Sequence, residues 1–183
     1  MNARRLGFVA SLADFLRHMR RRWYLSVPVV AVWGFAYARL FVDPTPRVPV
    51  LFNWTPSLPY RVALLQYGPH ALQRGDYIVF AFAGDAQADY PGLRGQPLFK
   101  IVRGLPGDTV TVSDRTVAVN GQVVGTAKTH AFDRRPLDPI APTVIPPGHY
   151  YVQGTSADSF DSRYRASGLV RAEQVLGTVV PLF

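Results

Sequence analysis

The sequence predicts a mainly β domain, built as a folded sheet or an open barrel, that follows one N-terminal transmembrane helix. Runs of alternating or β-branched residues dominate the chain after residue 50, and such runs are typical of strands. Asn120-Gly121 lies between two of these runs and is typical of a tight hairpin turn. The transmembrane helix is predicted by twenty consecutive residues with a single charge, Trp23–Val42.

The basic excess of the chain lies at its N-terminus. The formal net charge is +8; residues 1–42 hold seven arginines and one aspartate, whereas residues 43–183 hold 13 basic and 11 acidic residues. Because the arginine cluster at the end of residues 1–22 precedes the apolar segment, we expect it on the cytoplasmic side and residues 50–183 outside the cytoplasmic membrane. This separation of charge also argues against nucleic acid as a partner.

Two other interpretations of the apolar segment stay open. Ala36–Ala38 has the small-x-small form of a signal-peptide cleavage site, in which case the segment would be removed, and Arg20–Leu25 faintly matches a twin-arginine signal. We favour a retained anchor at 23–42, followed by a proline-rich linker at 43–49. The extracytoplasmic domain then comprises residues 50–183.

The predicted strands follow one another closely through this domain. In chain order they are 50–54, 76–82, 98–104, 108–112, 115–119, 122–124, 149–154 and 173–183. Residues 60–66 are the one stretch whose pattern suits a helix. Polar, proline-rich segments at 83–97 and 125–147 interrupt the strands, and the second is long enough that we expect a rim or lid.

The residue types exclude several kinds of site. The chain has no cysteine, which rules out disulfides, thiolate metal sites and a cysteine nucleophile. Its four histidines, at 18, 70, 130 and 149, lack the spacing of metal ligands. We expect neither a metal nor another cofactor.

Lys100 interrupts an apolar run, with Leu98 and Phe99 before it and Ile101 and Val102 after it. One interpretation is that it points to solvent, since neighbouring residues of a strand face opposite sides. The other is a buried, neutral amine that serves as a base, because desolvation lowers a lysine pKa by roughly 3–5 units. Lys100 alone does not decide between them.

Two further stretches carry candidate catalytic groups. Ser57 lies between Pro56 and Pro59, and prolines restrict the backbone, so we expect a rigid turn that presents the hydroxyl. Residues 154–170 are dense in small hydroxyl side chains. This third stretch also holds Asp161 and Arg163, which have the charges to pair.

Together these stretches resemble the type I signal peptidases, and among them the branch that processes pilin precursors for conjugative transfer, the TraF type. The similarity lies in ordered boxes at about the family's spacing: the Ser57 box, "RGDYIVF" at 74–80, "FKIVRGLPGDTV" at 99–110, "PPGHYYVQG" at 146–154 and "DSR" at 161–163. Two departures, Leu58-Pro59 directly after the serine and Gly154-Thr155-Ser156 at the start of the third box, resemble the conjugative branch.

The resemblance implies a serine endopeptidase with a signal-peptidase-like fold in the bacterial inner membrane. Ser57 would be the nucleophile and Lys100 its base. The Thr55 hydroxyl would join the Ser57 N–H in stabilising the oxyanion, with a plain turn role as its alternative. Ser159 would orient the lysine amine, with Ser156 and Ser162 nearby as alternatives.

Other residues have supporting roles under this hypothesis. We expect Asp161 and Arg163 to form a structural ion pair, with a catalytic role as the alternative, and Asp158 is an unassigned candidate for a supporting role. We expect the partners to be a precursor polypeptide, foremost a propilin, and the lipid bilayer. The precursor would add as a strand at an edge near 50–54, with small side chains before the cut. Leu51, Phe52 and Trp54 would pack in the core or rest on the lipid surface.

Two alternative functions remain open at this stage. One is a general signal peptidase for secreted proteins, which shares the dyad and differs in its substrates. The other is a membrane-anchored scaffold of a secretion apparatus without catalysis, which leaves Ser57 and Lys100 without a role.

Overall fold

The computed structural model describes residues 23–38, 49–53, 57–68 and 71–182. The chain divides into two compact units, Met1–Pro44 and Thr45–Phe183, each of which is described by itself. The first unit contains a 3₁₀ turn, Trp23–Leu25, followed by helix α1, Val27–Tyr37.

Helix α1 is apolar on all sides. Pro28 lies in its first turn, where the missing N–H costs no helical hydrogen bond. Its large side chains are exposed, with Trp33 72% and Phe35 66% accessible. Within the described residues, no helix has both the length and the apolar character needed to cross a bilayer. Residues 39–42 of the predicted anchor lie outside the described part, so the transmembrane helix stays a prediction.

The second unit is mainly β, which confirms the predicted fold class. Its eleven described strands are β1 Val50–Phe52, β2 Val62–Tyr67, β3 Tyr77–Ala81, β4 Pro97–Gly104, β5 Thr109–Ser113, β6 Thr116–Val119, β7 Gln122–Thr126, β8 Thr143–Val144, β9 His149–Gln153, β10 Val170–Arg171 and β11 Val175–Pro181. Short 3₁₀ turns cover Asp85–Gln87, Pro91–Leu93 and Ala172–Gln174.

The strands form two antiparallel sheets. The seven-stranded sheet has the order β1-β2-β11-β3-β4-β9-β10, and the four-stranded sheet has the order β7-β6-β5-β8. Asn120 and Gly121 have φ angles of 50° and 80° and join β6 to β7, as the hairpin signal predicted.

The prediction that 60–66 suits a helix is wrong, because this segment forms β2. Its burial alternates with a period of two from residue 63 to 66: Ala63 and Leu65 are buried, whereas Leu64 and Gln66 are exposed. β2 lies between β1 and β11, and this pairing satisfies its backbone on both sides. The short run of apolar residues therefore belongs to a strand and not to a helix.

The long segment 125–147 is attached to the smaller sheet by hydrogen bonds. It contributes the short strand β8, which pairs with β5. The Arg115 guanidinium donates to the carbonyl oxygens of Ala127, at 2.9 Å, and of Lys128 and Leu137. These hydrogen bonds fix the backbone of the segment against the smaller sheet.

Candidate active site

Lys100 lies in the middle of β4, between β3 and the end of β9. It pairs with Ile78 on β3. On the other side, Ile101 pairs with Gln153, the last residue of β9, and the register continued by one residue sets Lys100 beside Gly154. Residues that pair in this way project to the same face of a sheet. Lys100 therefore shares its face with Val102 and Ile78 of the main core.

The interpretation that Lys100 points to solvent is wrong. The residue is only 5% accessible. Burial lowers the pKa of the Lys100 amine to about 8; the nearby Asp161 carboxylate partly opposes this shift, and the Arg163 guanidinium adds to it. A minor fraction of the amine is therefore neutral at pH 7, and neutral amine is the form that can accept a proton.

Ser57 lies in the loop that joins β1 to β2. The loop is closed by a backbone hydrogen bond of 2.8 Å from Asn53 to Arg61. The Asn53 side chain also donates to the carbonyl oxygens of Leu58, at 3.3 Å, and Tyr60, at 2.9 Å. Leu58 is buried and Ser57 is 7% accessible, so this turn is folded inward rather than extended into solvent.

Gly154 lies where the turn that carries Ser57 meets the third stretch, and we call this contact the serine junction. The Ser57 carbonyl oxygen accepts hydrogen bonds from the Thr155 N–H at 2.8 Å and the Thr155 hydroxyl at 3.3 Å. A Cβ atom on Gly154 would lie 2.3 Å from Ser159 Oγ and 2.6 Å from Ser57 O. Only glycine leaves room for these two groups to approach each other here.

Ser159 has an unusual environment for a serine. The residue is 3% accessible, and its Oγ is the one buried side-chain polar atom without a hydrogen-bond partner among the residues that the structure describes. Leaving a buried hydroxyl unpaired costs free energy. Such a group is consistent with a hydroxyl available to a partner at a functional site.

Asp161 and Arg163 form a buried ion pair at the centre of the third stretch. They are 1% and 3% accessible, and Arg163 Nε donates to Asp161 Oδ1 at 2.8 Å. Asp161 Oδ2 accepts from the Gly154 N–H at 3.0 Å, and Arg163 donates to the carbonyl oxygens of Ser156 at 3.1 Å and Ser159 at 2.8 Å. The pair thus holds the backbone on both sides of the junction.

The remaining predicted site residues are placed differently. Thr55 lies outside the described residues, as does Trp54. Asp158 lies at the exposed end of the third stretch, where its carboxylate pairs with Lys128. Leu51 packs beside the core cluster that contains Val179, while Phe52 is 61% accessible. Of these two, Leu51 packs inward and Phe52 does not.

The sequence hypothesis missed the structural roles of Gly154 and Thr155. Gly154 was named only as the last residue of the 146–154 box and the first of the altered opening 154–156, although a glycine next to a buried strand often marks a close backbone approach. Thr155 gave no usable signal, because its bonds to Ser57 join residues that lie 98 positions apart in the chain.

Comparison with known proteins gives a consistent result. The family model described as signal peptidase, peptidase S26, matches residues 20–183. A conjugal transfer protein TraF of Agrobacterium fabrum is 31% identical over 144 residues, which are 72% of this chain and 80% of that protein. A conjugal transfer protein TraF of Agrobacterium tumefaciens is 34% identical over 181 residues, 92% of this chain and 98% of that protein.

Two further similarities involve signal peptidases. A signal peptidase I of Bacillus caldolyticus is 28% identical over 176 residues, 89% of this chain and 88% of that protein. The crystal structure of a signal peptidase I from Enterococcus faecalis is 26% identical, with a TM-score of 0.38, and the match covers 62% of this chain and all of that one.

Proposed function

Since this chain belongs to the peptidase S26 family of signal peptidases, we propose that Ser57 and Lys100 form its catalytic dyad and that it cleaves a pilin precursor of a conjugative transfer system. The resemblance to type I signal peptidases is confirmed by the family match, and the protein is a signal-peptidase-type serine peptidase. The observation that carries the dyad is the burial of Lys100 beside the junction that holds Ser57.

The proposed chemistry begins with the neutral Lys100 amine. It accepts the proton of the Ser57 hydroxyl while Ser57 Oγ attacks the scissile carbonyl carbon. The resulting oxyanion is stabilised by the Ser57 N–H and, on the basis of the family resemblance, by the Thr55 hydroxyl. The Lys100 ammonium then donates its proton to the leaving amine, and water or another amine releases the acyl group from Ser57.

Two groups would prepare Lys100 for this step. The Ser159 hydroxyl is buried and lies against Gly154, so it is available to orient the amine. Asp161 and Arg163 are positioning residues, because they bond the backbone of Gly154 and Ser159 rather than any reacting atom. Their opposite charges also act on Lys100 in opposite directions.

The sheet offers two edges for an extended precursor. β1 is the edge strand of the larger sheet, as the strand-addition hypothesis requires. In addition, β9 pairs with β4 only from Ile101 to Gly104, so β9 leaves uncovered the edge of β4 that leads from Pro97 to Lys100. A precursor strand on that edge would be in line with β9 and would bring its peptide bonds to Lys100.

The apolar face of the β1, β2 and β11 strands supports a location at a membrane. Two rows of apolar residues cross these strands: Val50, Leu64 and Val180, and Phe52, Val62 and Leu182. Five of the six are at least 36% accessible, while the opposite face of the same strands is packed in the core. We propose that this face meets lipid, in a single-pass protein of the bacterial inner membrane whose peptidase domain is periplasmic.

The choice of substrate rests on two TraF proteins that are similar along most of the chain. The test is to express the protein in cells depleted of their housekeeping signal peptidase and, separately, with a candidate propilin. We expect propilin cleavage without rescue of growth. Rescue of growth would instead favour a general signal peptidase.

The dyad is tested with purified full-length protein in detergent and a precursor substrate. Lys100→Arg retains a positive charge that cannot be lost, so we expect a folded and inactive protein. Ser57→Ala should be equally inactive, and the double variant should be no worse, because the two groups act as one unit. Cleavage by folded Lys100→Arg protein would exclude the dyad.

Membrane orientation is tested with a reporter fused after Phe183. A periplasm-dependent reporter should be active, and activity confined to the cytoplasm would reverse the proposed orientation. The mass of the mature protein decides whether residues 1–38 are retained, which separates an anchor from a cleaved segment.

A further inference from the structure

A polar cavity next to the serine junction carries an excess of positive charge. It has a volume of about 590 Å³ and lies where the end of β9 meets the turn between β6 and β7. Its lining includes Arg74, Arg103, Asn120, Gly154 and Thr155. Among the described residues, no acidic side chain lines it.

We propose that this cavity binds a carboxylate of the precursor segment that follows the cut, either an acidic side chain or the chain's own C-terminal carboxylate. The inference rests on the proposed peptidase function and assigns a substrate class to one side of the same site. Arg103 is the specificity-determining residue, and Arg74 assists it.

The position of the cavity follows from the course of the strands. A precursor on the free edge of β4 meets the end of β9 at Gly154, since Gln153 already occupies the position beside Ile101. For a precursor that runs parallel to β4, the segment after the cut has to leave the sheet at this point. Thr155, which donates to the Ser57 carbonyl oxygen, and Gly154 beside it are also part of the cavity wall, so the cavity lies on this exit route.

The two arginines differ in how they are held. Arg74 donates to the Asp108 carboxylate, which also accepts from Asn120 Nδ2 at 2.8 Å and from the Leu105 N–H at 2.7 Å. These bonds occupy both oxygens of Asp108 and hold Arg74 at the wall, with its side chain still 50% accessible.

Arg103 is the second arginine of the cavity. It is exposed on β4, and the described residues provide it with no ion pair. A guanidinium offers paired N–H donors whose geometry fits a carboxylate. Arg74 and Asp108 nearly cancel, so a ligand in this cavity meets a net positive charge from Arg103.

The first experiment measures cleavage of a peptide series by the full-length protein. Each peptide has an Ala-Ser-Ala sequence before the cut and one glutamate at the first to fifth position after it, with glutamine at the same position as its neutral match. A second pair compares a free C-terminal carboxylate with an amide. We expect roughly tenfold higher kcat/KM for the charged member of at least one pair.

Variants of Arg103 then test the assignment. Arg103→Gln should reduce the ratio of charged to neutral kcat/KM to about one, Arg103→Lys should restore part of it, and Arg103→Glu should favour lysine over glutamate at the same position. Arg94→Gln, at an exposed arginine outside the cavity lining, should keep the wild-type ratio. A ratio that survives Arg103→Gln would overturn the proposal.

A binding measurement separates this inference from the proposed activity. A tetra-alanine peptide represents the segment after the cut and is prepared with either a free C-terminal carboxylate or a C-terminal amide. Each form is titrated into ¹⁵N-labelled protein while the arginine Nε–H resonances are observed. We expect the free carboxylate alone to shift one arginine resonance, and Arg103→Gln to abolish that shift. If no peptide is cleaved but this shift is seen, the peptidase proposal fails and the carboxylate site stands. If peptides are cleaved with no charge preference and no shift, the carboxylate site is wrong.

Discussion

The Ser57 carbonyl oxygen accepts a hydrogen bond of 2.8 Å from the Thr155 backbone N–H. This bond attaches the turn between β1 and β2 to the loop after β9. The loop is itself organised by Asp161, which accepts from the neighbouring Gly154 N–H. The position of the serine thus depends on the packing of a distant part of the chain, and substitutions in that part should affect activity through it.

Gly154→Ala should abolish cleavage. Its new methyl group would lie 2.6 Å from the Ser57 carbonyl oxygen and 2.3 Å from Ser159 Oγ, so the serine turn or the loop has to move. A displacement of about 1 Å in a catalytic group can reduce the rate by roughly 100-fold. The measurement is kcat/KM on a precursor, together with the urea midpoint of unfolding.

Gly92→Ala is the matched control for this substitution. An added Cβ at Gly92 meets no atom within 4 Å, and its backbone φ lies outside the left-handed region. We expect wild-type kcat/KM. Full activity of Gly154→Ala would show that the serine junction has room for a side chain, so that catalysis does not require the close approach of the Ser57 turn to Gly154.

Asp161→Asn should destabilise the protein strongly. Removing the charge leaves the Arg163 guanidinium buried without its carboxylate, and breaking such a pair typically costs about 3–5 kcal/mol. Asp138→Asn removes a partner of Arg165 in a pair whose side chains are 60% and 70% accessible, so the expected cost is only about 0–1 kcal/mol. Urea unfolding of both variants gives the comparison, and equal costs would argue against a scaffold role for the buried pair.

Much of this arrangement could be predicted from the sequence because it is local. Alternation in runs such as 108–112 and 115–119 predicts strands, and Asn120-Gly121 predicts their turn, since each signal depends only on neighbouring residues. The segment 60–66 was ambiguous for the same reason: its burial pattern depends on β1 and β11, which pair with it from distant positions.

The site was predictable only as a set of residue types. The lysine in an apolar run suggested a buried base, but its burial depends on β3 and β9, which pair with β4 on either side. The short strands β8 and β10 and the contact of Thr155 with Ser57 are products of tertiary packing. No pattern within the chain indicates such contacts.

Lys100→Met should stabilise the folded protein at pH 7. Burial lowers the pKa of Lys100 to about 8 in the folded state, against about 10.4 in an unfolded chain. Below pH 8 the amine is charged in both states and the full cost of burying the charge is present, on the order of 3 kcal/mol. Between these two pKa values the unfolded state holds more protons, so stability rises with pH and the cost disappears above about 10.4.

The advantage of Lys100→Met over wild type should therefore shrink between pH 8 and 10. Urea unfolding at pH 7, 8, 9 and 10 measures it. Lys128→Met is the matched control, because the side chain of Lys128 is 46% accessible and pairs at the surface. A constant difference for Lys100→Met across this range would mean that the folded protein does not bury a neutralised amine. In the wild type, kcat/KM should rise with pH to a midpoint near 8, where the free enzyme's base becomes neutral.

Ser159→Ala should reduce activity without reducing stability. Since Ser159 Oγ has no hydrogen-bond partner among the described residues, its removal breaks no bond there and ends the cost of an unpaired buried hydroxyl. If the hydroxyl orients the Lys100 amine, kcat should fall by roughly 10- to 100-fold, with KM little changed. The measurements are kcat, KM and the urea midpoint, the last of which should be equal to or above that of the wild type.

Ser162→Ala, three residues later, should show the opposite behaviour. Ser162 is fully buried, and its Oγ accepts from the Val152 N–H at 3.1 Å and donates to the Gly168 carbonyl oxygen at 2.8 Å. Its loss leaves two backbone groups unpaired and should cost about 1–3 kcal/mol of stability, while the folded fraction keeps near-normal kcat. The two substitutions would then distinguish the positioning role of Ser159 from the structural role of Ser162. Unchanged kcat in Ser159→Ala would remove Ser159 from the mechanism and leave Lys100 to be oriented by the strand that carries it.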